Sequence, residues 1–161
     1  MKYVLMFFTF LSVCTTAELL QIPLTLDSTR TIKIPKGLTI VSETITVSPS
    51  EDPDFQKYLD KIKGYTIESV SIRAANSSSR AGYAITDLYV EFPAYNFTTR
   101  KTNLLFNGET IILDINGDTL VKLAESIQKN GSMEMKLKGS TYSVAGEDFD
   151  FKIIINLKIK V

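Results

Sequence analysis

The sequence contains no histidine and no tryptophan, and its single cysteine is Cys14. Histidine is the commonest general base of enzymes and the commonest neutral metal ligand. Its absence excludes Ser-His-Asp and Cys-His catalysis. It also nearly excludes an ordinary zinc site, because such sites are built from histidine and cysteine ligands. One cysteine also excludes an intramolecular disulfide. Glycine-rich phosphate loops are missing as well.

An excess of charge of one sign is missing too, because 18 Lys and Arg residues balance 18 Asp and Glu residues. Non-specific affinity for nucleic acids comes from cationic side chains that neutralise phosphates. We therefore expect no nucleic-acid partner. We also expect no cofactor.

Apolar runs are short, and the most informative one lies near the N-terminus. Lys2 is followed by an apolar run from Tyr3 to Val13, which is 11 residues long. A transmembrane helix needs roughly 20 residues. A basic residue, a short apolar run and then small residues follow the order of a secretory signal. We predict a signal peptide over residues 1–17 and a single domain over residues 18–161.

Two cleavage sites agree with this signal, and an uncleaved N-terminus is the remaining alternative. In the first hypothesis, the segment from Leu11 to Cys14 is a lipobox, because it resembles the bacterial lipoprotein signal, and Cys14 becomes a lipidated N-terminus. In the second, the small residues Thr15 and Ala17 direct cleavage before Glu18. Both hypotheses predict an exported protein. It would be anchored by lipid in the bacterial periplasm or at the outer-membrane surface, or it would be secreted.

Strict alternation of apolar and polar residues dominates the rest of the chain. It runs from Leu20 to Leu26 and again from Phe149 to Val161, and it predicts strands with one buried face. Pro23 donates no backbone hydrogen bond, so the first of these strands is predicted at a sheet edge. The turn spacing predicts an all-β fold, an antiparallel β-sandwich of about seven to nine strands with two short connecting helices.

Three segments change the phase of their alternation part-way along. In the first, Leu38 and Ile40 occupy even positions, whereas the apolar residues from Val41 to Val47 occupy odd ones. The segments 65–72 and 83–92 do the same. A β-bulge returns the apolar residues to the buried face after such a slip. We therefore predict a bulge in each segment.

Turn residues predict two hairpins. Asn107-Gly108 is a strong two-residue turn signal. A second, longer hairpin is predicted between residues 133–138 and 149–161, with its turn near Ala145-Gly146.

Cap residues predict two amphipathic helices. The first is predicted to begin at Pro53, with Ser50 or Asp52 as its cap, and to end at Gly64. The second is predicted to begin after an Asp118 cap and to stop at Gly131.

Two groups of carboxylates resemble functional sites. Asp148 and Asp150 share one strand face at a spacing of about 6.5–7 Å, which could suit glycoside hydrolysis, although a solvated strand face explains them better. In the other group, three residues match positions 1, 3 and 5 of a calcium loop and a fourth matches position 12; they are Asp114, Asn116, Asp118 and Glu125. Position 6 is Thr119 instead of glycine, which favours a turn and a helix cap. We predict no catalytic residue and no metal ligand.

Aromatic residues raise the question of carbohydrate binding. Most of them alternate as core residues do, but Tyr89 is out of phase with Leu88 and Val90 and is predicted to face outward. Tyr89 and Tyr95 are the aromatic candidates for a sugar contact.

Residues 48–72 carry a resemblance to a known group. The segment reads S-P-S-E-D-P-D-F-Q-K-Y-L-D-K-I-K-G-Y-T-I-E-S-V-S-I. It resembles small, uncharacterised exported β-sandwich proteins and lipoproteins of Bacteroidetes, which show a D-F-x-x-Y-x-x-K-I helix followed by a strand. The resemblance implies export and a sandwich fold, and it implies no catalytic residue.

The expected function is therefore that of a non-enzymatic exported envelope or secreted protein, a structural or interaction module. The alternative is a carbohydrate- or calcium-binding accessory module. Its partner would be a protein or a glycan, and the membrane would be contacted only through an N-terminal lipid on Cys14.

Mass spectrometry of the mature N-terminus separates the two cleavage hypotheses. Lipidated Cys14 would support the lipobox, and a free Glu18 would support the second site. We expect the substitution Cys14→Ala to move the protein out of the membrane fraction, because each buried CH₂ of an acyl chain adds about 0.8 kcal/mol to membrane binding. Identical fractionation of the parent and the variant would contradict lipid attachment.

Overall fold

A computed structural model describes residues 20–75, 84–143 and 146–161. The predicted signal peptide, Cys14 and Ala145 lie outside the described residues. The strands are β1 (Gln21–Ile34), β2 (Gly37–Val47), β3 (Gly64–Ala75), β4 (Ala84–Phe92), β5 (Phe97–Thr98), β6 (Thr102–Leu105), β7 (Asn107–Ile112), β8 (Met133–Ser143) and β9 (Glu147–Lys160). The α-helices are α1 (Pro53–Gln56) and α2 (Gly117–Asn130), and short 3₁₀ helices span Pro49–Glu51, Leu59–Lys61 and Pro93–Tyr95.

The strands form two antiparallel sheets, which confirms the predicted β-sandwich. The first has the order β1-β9-β3-β7, and the second has the order β2-β8-β4-β5, with β6 also paired to β4. β1 lies at the edge of the first sheet, as Pro23 predicted. The core lies between the sheets, and its largest fully buried side chains include Phe55, Phe92, Phe149 and Phe151.

Strand pairing is nested about the middle of the chain. β1 pairs with β9, β2 with β8, β3 with β7 and β4 with β6. Successive pairs alternate between the two sheets, and the β3–β9 and β4–β8 pairs close each sheet. A double sheet in which a nested ribbon wraps in this way is a jelly roll.

Both predicted hairpins are wrong, because each divides its strands between the two sheets. β8 pairs with β2 and β4, whereas β9 pairs with β1 and β3. β6 and β7 separate at Phe106, whose ring stacks on that of Phe149 with 4.5 Å between the centroids. Asn107-Gly108 lies within β7, where Asn107 Oδ1 accepts a hydrogen bond from the Glu109 backbone N–H. Alternation gives each strand a buried face without specifying its neighbour.

Two of the three predicted bulges are confirmed. The pairing of β3 with β9 shifts between Ile67 and Ser69. The pairing of β4 with β8 shifts between Thr86 and Tyr89, near Asp87 with its φ of 50°. β2 pairs with β8 without a shift over its whole length, so the bulge predicted there is wrong. Leu38 and Ile40 instead stay on the outer face of the sheet.

The first predicted helix is broken into short pieces. Asp52 caps α1 through hydrogen bonds from the backbone N–H groups of Asp54 and Phe55, as predicted, but α1 has only four residues. Phe55 is fully buried, whereas Leu59 remains exposed. A helix this short gains little from its own hydrogen bonds, so the burial of Phe55 determines the path of the segment.

α2 begins earlier than predicted and ends as predicted. Its cap is Asn116, whose side chain accepts a hydrogen bond from the Thr119 N–H, and the prediction of Asp118 as the cap is wrong. Asp118 lies in the first turn instead, where its charge favours the helix dipole. Gly131 ends the helix in the left-handed conformation. Within the described ranges, none of the helices has the length and apolarity needed to cross a membrane.

The β4 bulge requires a glycine on the neighbouring strand. Gly139 of β8 faces inward, and a Cβ there would lie 2.5 Å from Ile85 Cγ2 and 3.1 Å from the Thr86 carbonyl oxygen. We therefore expect Gly139→Ala to lower the free energy of unfolding by about 1–3 kcal/mol, as measured by urea denaturation. Gly117→Ala is the control, because a Cβ at Gly117 has no neighbour within 4 Å. Equal losses in both variants would contradict the proposed clash.

Candidate interaction surface

Of the four sheet edges formed by the described strands, three carry features that discourage pairing with another strand. β1 has Pro23 and the exposed charged residues Asp27 and Lys33. β7 has six residues, and the edge made by β5 and β6 has strands of two and four residues. Proline, charge and shortness all protect edges from further pairing.

β2 is the exception among these edges. It is an 11-residue strand without proline. Its exposed, outward-facing side chains are all uncharged; they are Leu38, Ile40, Ser42, Thr44 and Thr46. Its one charged residue, Glu43, points inward, which can itself discourage pairing, but it is half-buried and pairs with Arg30 at 3.8 Å. A long, straight edge of this kind is the type that accepts another strand.

An apolar row crosses the outer face of the second sheet beside this edge. Leu38 is paired with Tyr142, and Ala84 is paired with Leu105. The register of Thr86 with Ser140 places Ala84 next to Tyr142, and Thr141 Oγ1 donates a hydrogen bond to the Ala84 carbonyl at 2.9 Å. We call this row, together with Ile40, the outer patch. Its members are Leu38, Ile40, Ala84, Leu105 and Tyr142.

Large side chains in the outer patch are strongly exposed. Leu38 is 76% exposed, Ile40 80% and Tyr142 60%. Sequence reasoning missed this surface because it assigned the change of phase in β2 to a bulge. The signal was present in the even-numbered apolar residues, but only the straight β2–β8 register shows that they face outward.

The other half of the same outer face is charged. Tyr89 and Glu91 of β4 pair with Lys138 and Lys136 of β8. Lys138 Nζ donates a hydrogen bond to Glu91 at 2.9 Å, and this bond raises the pKa of Lys138. Tyr89 lies outward as predicted, but it is half-buried, with Lys101 Nζ 5.9 Å from its ring centroid. On this face of the second sheet, the exposed apolar side chains therefore lie in the outer patch.

Two of the four residues of the calcium-loop match have other partners. Asp114 pairs with Arg100 at 3.4 Å, and Asn116 is occupied as the helix cap. Asp118 and Glu125 lie within α2. Among the described residues, no group of three or more histidine, cysteine, aspartate or glutamate side chains could hold a metal ion.

The remaining sequence candidates are dispersed. Asp148 and Asp150 are both exposed on β9, and Asp150 accepts a hydrogen bond from Thr31 at 2.7 Å. Tyr95 packs against the core. Carbohydrate and calcium binding therefore stay predictions from the sequence.

Clefts lined by described residues also lie away from the outer patch. One, of about 300 Å³, lies between α2 and β3 beside Tyr65, whose pKa is raised by burial. Another, of about 430 Å³, includes Asp54 and Glu68. These carboxylates are paired with Lys57 and Lys158 respectively, so the polar lining of the cleft is largely neutralised.

Comparison with known proteins bears on the fold alone. No family model matches the chain, and no curated protein matches it. A crystal structure of the decameric BFDV capsid protein is similar with a TM-score of 0.51 and 11% sequence identity, over 87% of this chain and 99% of that one. A crystal structure of the 60-mer BFDV capsid protein gives a TM-score of 0.44 and 11% identity, over 89% and 95% of the two chains. The first of these similarities supports the sandwich fold that the strand pairing defines.

Proposed function

We propose that the protein is a non-enzymatic, exported structural module that acts through protein–protein contact at the outer patch. The observation that carries the proposal is the coincidence of exposed apolar side chains with a straight sheet edge that has no outward-facing charge. Contiguous apolar surface on soluble proteins commonly marks an interaction site. The signal-like segment before Leu20 supports export, with Cys14 either lipidated or removed.

The sandwich fold does not by itself supply this function. Jelly rolls occur in capsid proteins, lectins and cupins, and the same fold hosts unrelated activities. The BFDV capsid protein with the similar fold is decameric, but at 11% identity that property is not transferred. The proposal therefore rests on the surface of this chain.

Free-energy estimates indicate whether the side chains of the outer patch can hold a partner without the backbone of β2. Full burial of Leu38 and Ile40 would yield about 1.5–3 kcal/mol each. Association costs an estimated 4–15 kcal/mol in lost freedom of motion. These side chains alone therefore give weak binding at best. The exposed backbone edge of β2 must add hydrogen bonds for a lasting contact.

Photo-crosslinking in cells that export the protein tests this proposal. A photoreactive phenylalanine in place of Ile40 or Tyr142 is expected to give protein adducts heavier than the parent. The control is the same residue in place of Ile112, which is 71% exposed on β7 of the other sheet. No adducts from the outer patch, or equal yields from all three positions, would contradict the proposal.

A further inference from the structure

We infer that the partner at the outer patch is a second copy of this chain, whose β2 pairs antiparallel with β2 across a two-fold axis. This inference rests on the proposed function and names its partner. The result would be one continuous sheet that runs through both molecules.

Backbone geometry supports a strand as the partner. β2 uses one side of its backbone to pair with β8 from Gly37 to Val47. Every second residue of an edge strand directs its N–H and C=O groups to the free side. A second β2 in antiparallel orientation supplies the same donors and acceptors in reverse order, so the contact is self-complementary.

Apolar side chains determine the register of this pairing. Outer residues must face outer residues, because a slip of one position would reverse every side chain. An axis at Ile40 places the two Ile40 side chains opposite one another and each Leu38 opposite Ser42 of the second copy. Directly opposed side chains lie about 4.5–5.5 Å apart at Cβ. The two Leu38–Tyr142 pairs then flank the axis, which brings the most exposed apolar side chains together.

Charge does not oppose this register, since Glu43 faces inward and is already paired with Arg30. Centring on Ile40 pairs residues 37–43 of the two strands, so Glu43 lies opposite Gly37 of the second copy. Lys36 precedes Gly37 in the sequence and is exposed. Each end of the paired region therefore brings Lys36 of one copy within one residue of Glu43 of the other. The outer side chains of the paired region, Leu38, Ile40 and Ser42, carry no charge.

Sedimentation of the purified exported protein tests the inference. We expect a concentration-dependent dimer of the parent at micromolar concentrations. Ile40→Lys would place two like charges on the axis and is expected to raise the dissociation constant at least about 100-fold. Ile112→Lys is the matched control, and its dissociation constant is expected to stay within about twofold of the parent value. Circular dichroism and melting temperature check that both variants are folded.

A cysteine pair tests the register. In a Cys14→Ala background, Ile40→Cys is expected to form a disulfide-linked dimer under mild oxidation, whereas Ile112→Cys is not. A dimer without the Ile40→Cys crosslink would overturn pairing about Ile40. A parent that stays monomeric at about 100 μM, a concentration at which even weak micromolar association is detected, would overturn self-pairing. The proposed function would then survive only if the photo-adducts at Ile40 and Tyr142 contain a different protein.

Discussion

The inner face of β9 is the feature on which the rest of the structure depends. This strand pairs with both β1 and β3. Its inward side chains are at most 2% exposed; they are Phe149, Phe151, Ile153, Ile155, Leu157 and Ile159. They face the inner side chains of the second sheet, including Met135 and Leu137 of β8. Their burial fixes the separation of the two sheets. The residues on the outer faces do not take part in this packing, so their polarity decides what those faces can contact.

An apolar side chain on an outer face has no role in that core. In the first sheet the outer face is dominated by polar contacts, such as Thr31 with Asp150 and Asp27 with Lys152. In the second sheet the face is divided between a charged half around Lys138 and the apolar outer patch. The patch adjoins β2, which among the described strands is the one long edge that lacks proline and outward charge. Contact with another strand would therefore satisfy side chains and backbone at the same place.

Local sequence patterns predicted structural features that depend on neighbouring residues alone, such as helix ends. Asp52, one of the two caps predicted for the first helix, and Gly131 do lie at helix ends, because cap hydrogen bonds and left-handed glycine are local features. Asn116 was not identified as the cap because Asp118, two residues later, fits the same preference. Two different structures produce a change of phase like that in β2: a bulge, or a regular strand with apolar residues on both faces. Only the register with β8 distinguishes them, so Leu38 and Ile40 were visible as an anomaly but not as a surface.

By itself the sequence determined the β class, the edge position of β1, the short connecting helices and the exclusion of Ser-His-Asp and Cys-His catalysis. Alternation with a period of two is enough for the β class, since it records burial along one strand, and the other conclusions depend on single residues such as Pro23 and the helix caps. The tertiary structure decided which sheet each strand joins, and so placed Tyr142 and Leu105 in one row with Leu38. Pairing joins segments far apart in the chain, as in Gln21 with Lys160. The free energy that selects such partners comes from packing the whole core, which no local pattern records.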